Sequence, residues 1–237
     1  MIIGIATTLW KRHEIERLMM EYYVDIDIEG IELVCVAAGS EGDTSKDLAE
    51  SCGWEYVKAK NNPVSDKFNK AISHLKGRVD AVVIIGSDDF LSPTYFTEAV
   101  KAVRHGAGSL CLEHCHYIAP DGECYFIPRS HPGAGTFITA PVLDRMGWEP
   151  YPSGINDSMD GPMHNRIHTV GYPCAMQRIR HDDAIVVDVK SGVNIWDIER
   201  MIQLVGRGGK IAPAVIDKHF PDLRENLNKM PVRYTNG

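Results

Sequence analysis

Ala81-Val82-Val83-Ile84-Ile85-Gly86-Ser87-Asp88-Asp89-Phe90 is the stretch whose reading decides the fold. Five apolar residues, four of them β-branched, run without a break and stop at Gly-Ser-Asp-Asp. A short unbroken run of this kind reads as a strand buried on both faces, as in a parallel sheet. Ligands of open α/β sheets bind beyond the carboxyl ends of the strands. Asp88 and Asp89 stand at that end, and adjacent carboxylates suit a hard divalent cation, which prefers oxygen ligands. The plainer reading is helix capping, a job Ser92 or Thr94 can do with Pro93 in the first turn.

Upstream, strands and helices alternate. Ile2 to Ala6 reads as a strand ended by Thr7-Thr8, and Ile15, Leu18, Met19, Tyr22 and Tyr23 give helical spacing over Arg12 to Val24. A second strand spans Ile31 to Ala38. After the loop Gly39 to Asp43, Thr44 or Ser45 caps a helix running to about Cys52. Trp54 to Ala59 is a third strand, broken by Asn61-Asn62-Pro63, and Ser65 to Leu75 is helical. A helix from Pro93 to about Arg104 follows the central strand. Such alternation implies parallel strands joined by right-handed crossovers.

Beyond Arg104 the pattern changes. Ser109 to Ala119 and Glu123 to Pro128 flank Pro120-Asp121-Gly122, a hairpin signal. A Gly133-Ala134-Gly135 turn, a short helix near Val142 to Met146 and a helix from about Met159 to Val170 come next. Strand-like runs cover Cys174 to Ile179 and Ala184 to Val189, with helical stretches at about Ile195 to Val205 and Val215 to Asn228. Cys111-Leu112-Glu113-His114-Cys115-His116 contains zinc-ligand types. Alternation along one strand points its cysteines one way and its histidines the other, which disfavours zinc. Gly206 to Lys210 reads as a link between tail helices.

The chain has 237 residues, 44% hydrophobic and 24% charged, as in ordinary soluble globular proteins. No apolar run approaches the ~20 residues of a membrane helix. Lys11 and Arg12 follow the first apolar run rather than preceding it, so no signal peptide is read and a cytoplasmic location is expected. Six scattered cysteines suit reduced, buried thiols. A net charge of −7 argues against a generic nucleic-acid binder. From Gln177 to Gly237 there are 10 Lys/Arg against 8 Asp/Glu, so this tail is slightly basic. It reads as a solvated surface or as a face toward an anionic substrate.

Several motifs, taken in order, resemble the nucleotide-sugar glycosyltransferases of the GT-A fold, of the inverting family-2-like type. Ile5-Ala6-Thr7-Thr8-Leu9-Trp10-Lys11-Arg12 resembles that family's opening strand, turn and Arg-bearing helix. Asn61 to Ile72, with Ser65 and Asn69, is similar to its loop and helix before the central strand. Ser87-Asp88-Asp89-Phe90-Leu91-Ser92-Pro93 stands in the slot of its Asp-x-Asp metal motif. Gly133 to Gly147 followed by Asp160, Arg166 and Gly171 is similar to its acceptor half. There are departures. Ala37 and Ala38 stand where the family has two Asp residues, Gly86 where it has the first Asp of its metal motif, and Met159 where it has a Glu.

The resemblance implies an α/β, GT-A-like (Rossmann-like) fold: a mostly parallel central sheet flanked by helices, a smaller acceptor-side subdomain and a helical C-terminal tail. Residues 1–107 would form the nucleotide-binding half, 108–190 the acceptor half and 191–237 the tail of one domain. It implies a metal-dependent transfer, with inversion, from a nucleotide-diphosphate sugar such as a UDP-sugar to a hydroxyl acceptor. That acceptor could be a glycan, a protein or a hydroxylated DNA base. Mn2+ or Mg2+ would be held by Asp88, Asp89 and His181, and donor contacts would come from Thr7, Arg12, Lys67, Asn69, Ser87, Lys190 and Ser191. Asp160 is the candidate general base, or else a helix-start residue that favours the dipole. Asp157 is the alternative base, with capping its expected job. Two other functions stay open: a non-catalytic nucleotide-sugar or glycan-binding domain, and a sugar nucleotidyltransferase, whose Gly-rich opening signature is missing here.

Overall fold

The computed structural model describes residues 1–128, 133–170, 174–177, 185–190, 199–200, 203 and 209–230. The first half reads β1 (Ile2–Leu9), α1 (His13–Asp25), β2 (Glu32–Gly39), α2 (Asp43–Ser51), β3 (Glu55–Lys58), α3 (Val64–His74) and β4 (Ala81–Ile84). It continues with β5 (Asp89–Leu91), α4 (Pro93–Arg104), β6 (Ser109–Leu112), β7 (His114–Ile118), β8 (Cys124–Pro128), β9 (Thr136–Thr139) and α5 (Ala140–Arg145). Then come α6 (Asp160–Thr169), β10 (Cys174–Gln177), β11 (Val186–Val189) and β12 (Gly209–Lys210). The last described helices are α7 (Ala214–Asp217) and α8 (Leu223–Lys229).

A seven-stranded sheet runs β10-β6-β9-β4-β1-β2-β3. Its pairings are parallel except those of β9, which lies antiparallel between β4 and β6. Each face carries an apolar layer. Ile3 and Ile5 of β1 pack with Met19 and Tyr23 of α1, Leu48 of α2 and Phe96 of α4. Ala6 of β1 and Val82 of β4 pack with Phe68 and Ile72 of α3, Leu143 of α5 and Ile167 of α6. Helices on both faces explain why β1 and β4 are continuous apolar runs. This is the GT-A-like architecture that the sequence implied. β6, β9 and β10, from beyond residue 107, complete this sheet.

A second, five-stranded sheet runs β12-β8-β7-β11-β5. The single strand expected over Ser109 to Ala119 is two strands in different sheets, parting at Glu113. Cys111 and Cys115 therefore do not share a strand. The 120–122 turn does join a hairpin, β7 to β8. β9 was not anticipated. The central run also divides: β4 ends at Ile84, and Asp89 opens β5 in the other sheet.

β5 is the edge of the second sheet, and α1 closes that edge with side chains. Tyr22 donates to the Leu91 carbonyl at 2.7 Å, and Tyr23 donates to the Asp89 carbonyl at 3.1 Å and accepts from the Leu91 N–H at 2.9 Å. Among the described residues, that open edge is satisfied by side chains without a further strand. Tyr23→Phe leaves two buried backbone groups unpaired, so a loss of roughly 1–3 kcal/mol is expected in urea unfolding. An unchanged midpoint would show that the clamp contributes nothing.

Several expected caps take other partners. Ser92 is the N-cap of α4 without a side-chain cap bond, and its Oγ accepts from the Ile185 N–H at 3.0 Å. Gly42, not Thr44 or Ser45, precedes α2. The described part of the tail also packs into the protein. Ile216, Phe220, Leu223 and Leu227 belong to the main core, with Phe220 against Tyr22 and Phe90. Gly209–Lys210 pairs with β8 instead of linking helices. Among the described residues no helix is long and apolar enough to cross a membrane.

Candidate functional site

A cleft of about 640 Å³ opens at the carboxyl end of β4. Its inner wall includes Thr8, Arg12, Gly86, Ser87, Asp88, Asp89, Asp188 and Lys190. Its remaining wall includes Gly133, Tyr151, Asn156, Asp157, Asp160, His164, Asn165 and His168.

The inner wall is built by two sheets meeting. β4 is fixed beside β1, and the Ile85 N–H donates to the Ala6 carbonyl at 3.1 Å. The chain then turns through Gly86-Ser87 into β5. There β11 pairs antiparallel with β5, and Asp188 stands directly opposite Asp89 in register. Like charges directly opposite across a ladder are destabilising. Here a third, Asp88, joins them, and one ligand oxygen from each lies within 4.8 Å of the others. Burial first, and then the neighbouring carboxylates, push the Asp89 carboxyl well above its usual range. Burial also raises the Asp188 carboxyl, against the pull of Lys190.

Two cations face the trio. Arg12, at the N-cap of α1, bonds Asp88 through Nη1 and donates through Nη2 to Ser87 Oγ at 2.7 Å. Lys190 donates to Asp188 Oδ2 at 2.6 Å. These carboxylates hold both cations charged, and the raised Lys190 and Arg12 pKa values reflect attraction that outweighs burial. Gly86 fits the arrangement because its N–H donates to Asp89 Oδ2 and a Cβ there would lie 2.9 Å from that oxygen. The residue in the slot of the first motif Asp is thus small because Asp89 folds back over it.

Oxygen-rich sites of this kind match Mg2+ or Mn2+. One observation tests the fit: Asp188 Oδ1 is buried and has no hydrogen-bond partner among the described residues. A buried carboxylate oxygen left without a donor is costly, and a cation would satisfy it. Among the described residues Asp88, Asp89 and Asp188 are the group that could hold a metal ion. Asp188 was not anticipated. Its signal was a lone Asp inside Val186-Val187-Asp188-Val189, a run otherwise reading as core.

On the remaining wall Asp160 opens α6. Gly133 lies so close that a Cβ there would stand 2.2 Å from Asp160 Oδ1, so this approach requires glycine. Asp157 does not cap α6. The N-cap is Met159, and Asp157 accepts from the Ser158 N–H at 2.6 Å while Arg200 lies 3.8 Å away. His164, one turn along α6 from Asp160, is buried with Nε2 3.6 Å from Cys111 Sγ.

The structure brings Arg12, Ser87, Asp88, Asp89, Asp160 and Lys190 into one cleft. It places three expected donor contacts outside the cleft wall. Thr7 is fully buried, and its neighbour Thr8 lines the cleft instead. Asn69 clamps the Tyr151 backbone, donating to its carbonyl at 2.8 Å and accepting from its N–H at 3.0 Å. Lys67 donates to the Leu9 carbonyl at 2.6 Å and to Ser40 and Asn61. The face of α3 that carries these residues turns into the protein, and Phe68 reaches the cleft. His181 and Ser191 lie outside the described residues.

Burial lowers the Lys67 pKa from 10.5 to about 8. The folded chain therefore releases this proton before the unfolded chain does. Between those values the unfolded state binds more protons, so stability should rise with pH across that window. Lys67→Met should flatten the rise. Thermal midpoints measured through the window check this, and equal slopes in both proteins would contradict it.

No family model matches this chain, and no curated protein matches it by sequence. Solved structures do match in fold. S. aureus TarS in complex with UDP aligns over 98% of this chain and 76% of its own, at 8% identity and a TM-score of 0.55. A Pyrobaculum calidifontis mannosyltransferase in complex with GDP-Man and Mn2+ aligns over 96% of this chain and 70% of its own. Its identity is 14% and its TM-score 0.55. At these identities the likeness is one of fold.

Proposed function

We propose that this chain is a metal-dependent glycosyltransferase that moves a sugar from a nucleoside-diphosphate donor to a hydroxyl acceptor with inversion. One observation carries the reading: Asp88, Asp89 and Asp188 gather at the end of the central strand, in the same cleft as Arg12, Lys190 and Asp160. Asp88, Asp89 and Asp188 would hold Mn2+ or Mg2+, which would supply Lewis-acid compensation for the charge on the leaving nucleoside diphosphate. Arg12 and Lys190 bind the diphosphate oxygens, and Ser87 orients the guanidinium. Asp160 takes the proton from the acceptor hydroxyl as that oxygen attacks the anomeric carbon from the face opposite the leaving group. Donors carrying UDP or GDP are the first to test, since fold neighbours hold those nucleotides.

The deciding experiment follows release of nucleoside diphosphate from a panel of UDP- and GDP-sugars with Mn2+, with and without EDTA. Slow, metal-dependent hydrolysis of one donor is expected even without acceptor. Tight binding with no turnover on any acceptor would favour a binding module on this fold. Release of pyrophosphate from a nucleoside triphosphate and a free sugar would favour a nucleotidyltransferase.

A further inference from the structure

We propose that Arg12 and Lys190 are built-in counter-ions of the carboxylate cluster. They exchange Asp88 and Asp188 for a nucleoside diphosphate when a divalent cation enters. This rests on the donor reading above and adds the reason why cation and diphosphate depend on each other.

Three carboxylates with oxygens within 4.8 Å, two buried and the third half-buried, cannot stay ionised together without compensation. The chain supplies a cation to two of the three. Arg12 sits on Asp88 and Lys190 sits on Asp188, while Asp89 accepts the Gly86 N–H. With all three carboxylates ionised, as metal ligation requires, three against two cations leave −1 among these groups. A dication turns that balance to +1, and the site then suits an anion. Before that exchange, both basic groups are tied to the carboxylates a metal needs, and their charge repels it.

The geometry allows the exchange without rebuilding the fold. Arg12 and Lys190 both line the cleft. Among the described residues the Arg12 guanidinium bonds Asp88 and Ser87, and it stands on a long side chain at the start of α1. The Lys190 backbone stays fixed, since its N–H donates to the Ile118 carbonyl at 2.8 Å. Metal entry therefore frees the groups that grip the diphosphate, and the diphosphate removes the groups that oppose the metal. Such coupling is reciprocal by linkage.

Titration calorimetry tests this with MnCl2 alone, UDP or GDP alone, and each nucleotide with Mn2+. Arg12→Gln removes one counter-ion and should bind Mn2+ alone roughly tenfold or more tightly than the unaltered protein. The factor by which Mn2+ strengthens nucleotide binding should fall by about the same amount in that variant. Arg12→Lys keeps the charge and should bind Mn2+ alone like the unaltered protein. Lys190→Gln should repeat both changes, so a folding defect in one variant leaves the other to decide. Glutamine variants that bind Mn2+ alone no more tightly, or that keep the full coupling, would overturn the exchange. An unaltered protein that binds no Mn2+ even with UDP or GDP would overturn the functional reading beneath it.

Discussion

Asp160→Asn is expected to lower turnover by roughly 10²–10⁴-fold, the scale of general-base catalysis, while leaving Mn2+-dependent nucleotide binding intact. Asparagine keeps the size of the side chain and most of its hydrogen bonding but cannot take a proton. Asp160 opens α6 with Gly133 packed against its carboxylate, and the metal-ligand cluster lies on other elements of the same cleft. Stability should change little, since Asn is also accepted near helix starts. Asp157→Asn is the internal control. Asp157 is exposed and bonded to Ser158 beside Arg200, so a mild effect is expected there. Near-normal turnover in the 160 variant, or a larger loss at 157, would move the base elsewhere.

The second large effect is expected at Asp188. Asp188→Asn removes one of three anionic ligands and leaves Lys190 without its carboxylate. Mn2+-dependent nucleotide affinity should fall by about 100-fold, on the order of two to three kcal/mol, as for loss of one charged hydrogen-bonded partner. The fold should survive, because Val186, Val187 and Val189 still pack in the core and asparagine relieves repulsion with Asp89 across the ladder. Calorimetry with UDP or GDP and Mn2+ reads the loss. Unchanged metal-dependent affinity would mean that Asp188 only anchors Lys190.

The sequence made the first half legible because each strand there is a short apolar run and each helix keeps its 3.6 period. The Asp88–Asp89 pair was visible for the same reason, as charge at the abrupt end of such a run. β9 was not, since Thr136–Thr139 is four residues between Gly135 and a helix carrying Pro141, with no pattern of its own. The break at Glu113 was hidden inside one strand-like run, Ser109 to Ala119, that two sheets share. Asp188 escaped because its meaning lies in register with Asp89, a long-range pairing that local periodicity does not encode. Thr7 and Thr8 show the finest limit. Alternation puts neighbouring strand residues on opposite faces, and motif likeness alone chose the buried one.

Where the two sheets meet, Asp88, Asp89 and Asp188 are expected to take one cation. Anomalous diffraction at the manganese edge, from crystals grown with Mn2+ and UDP or GDP, tests it most directly. The account predicts a single strong peak bridging Asp88, Asp89, Asp188 and the diphosphate, with Arg12 and Lys190 turned to the phosphate oxygens. Nucleotide bound in the cleft with no manganese at that cluster would contradict it.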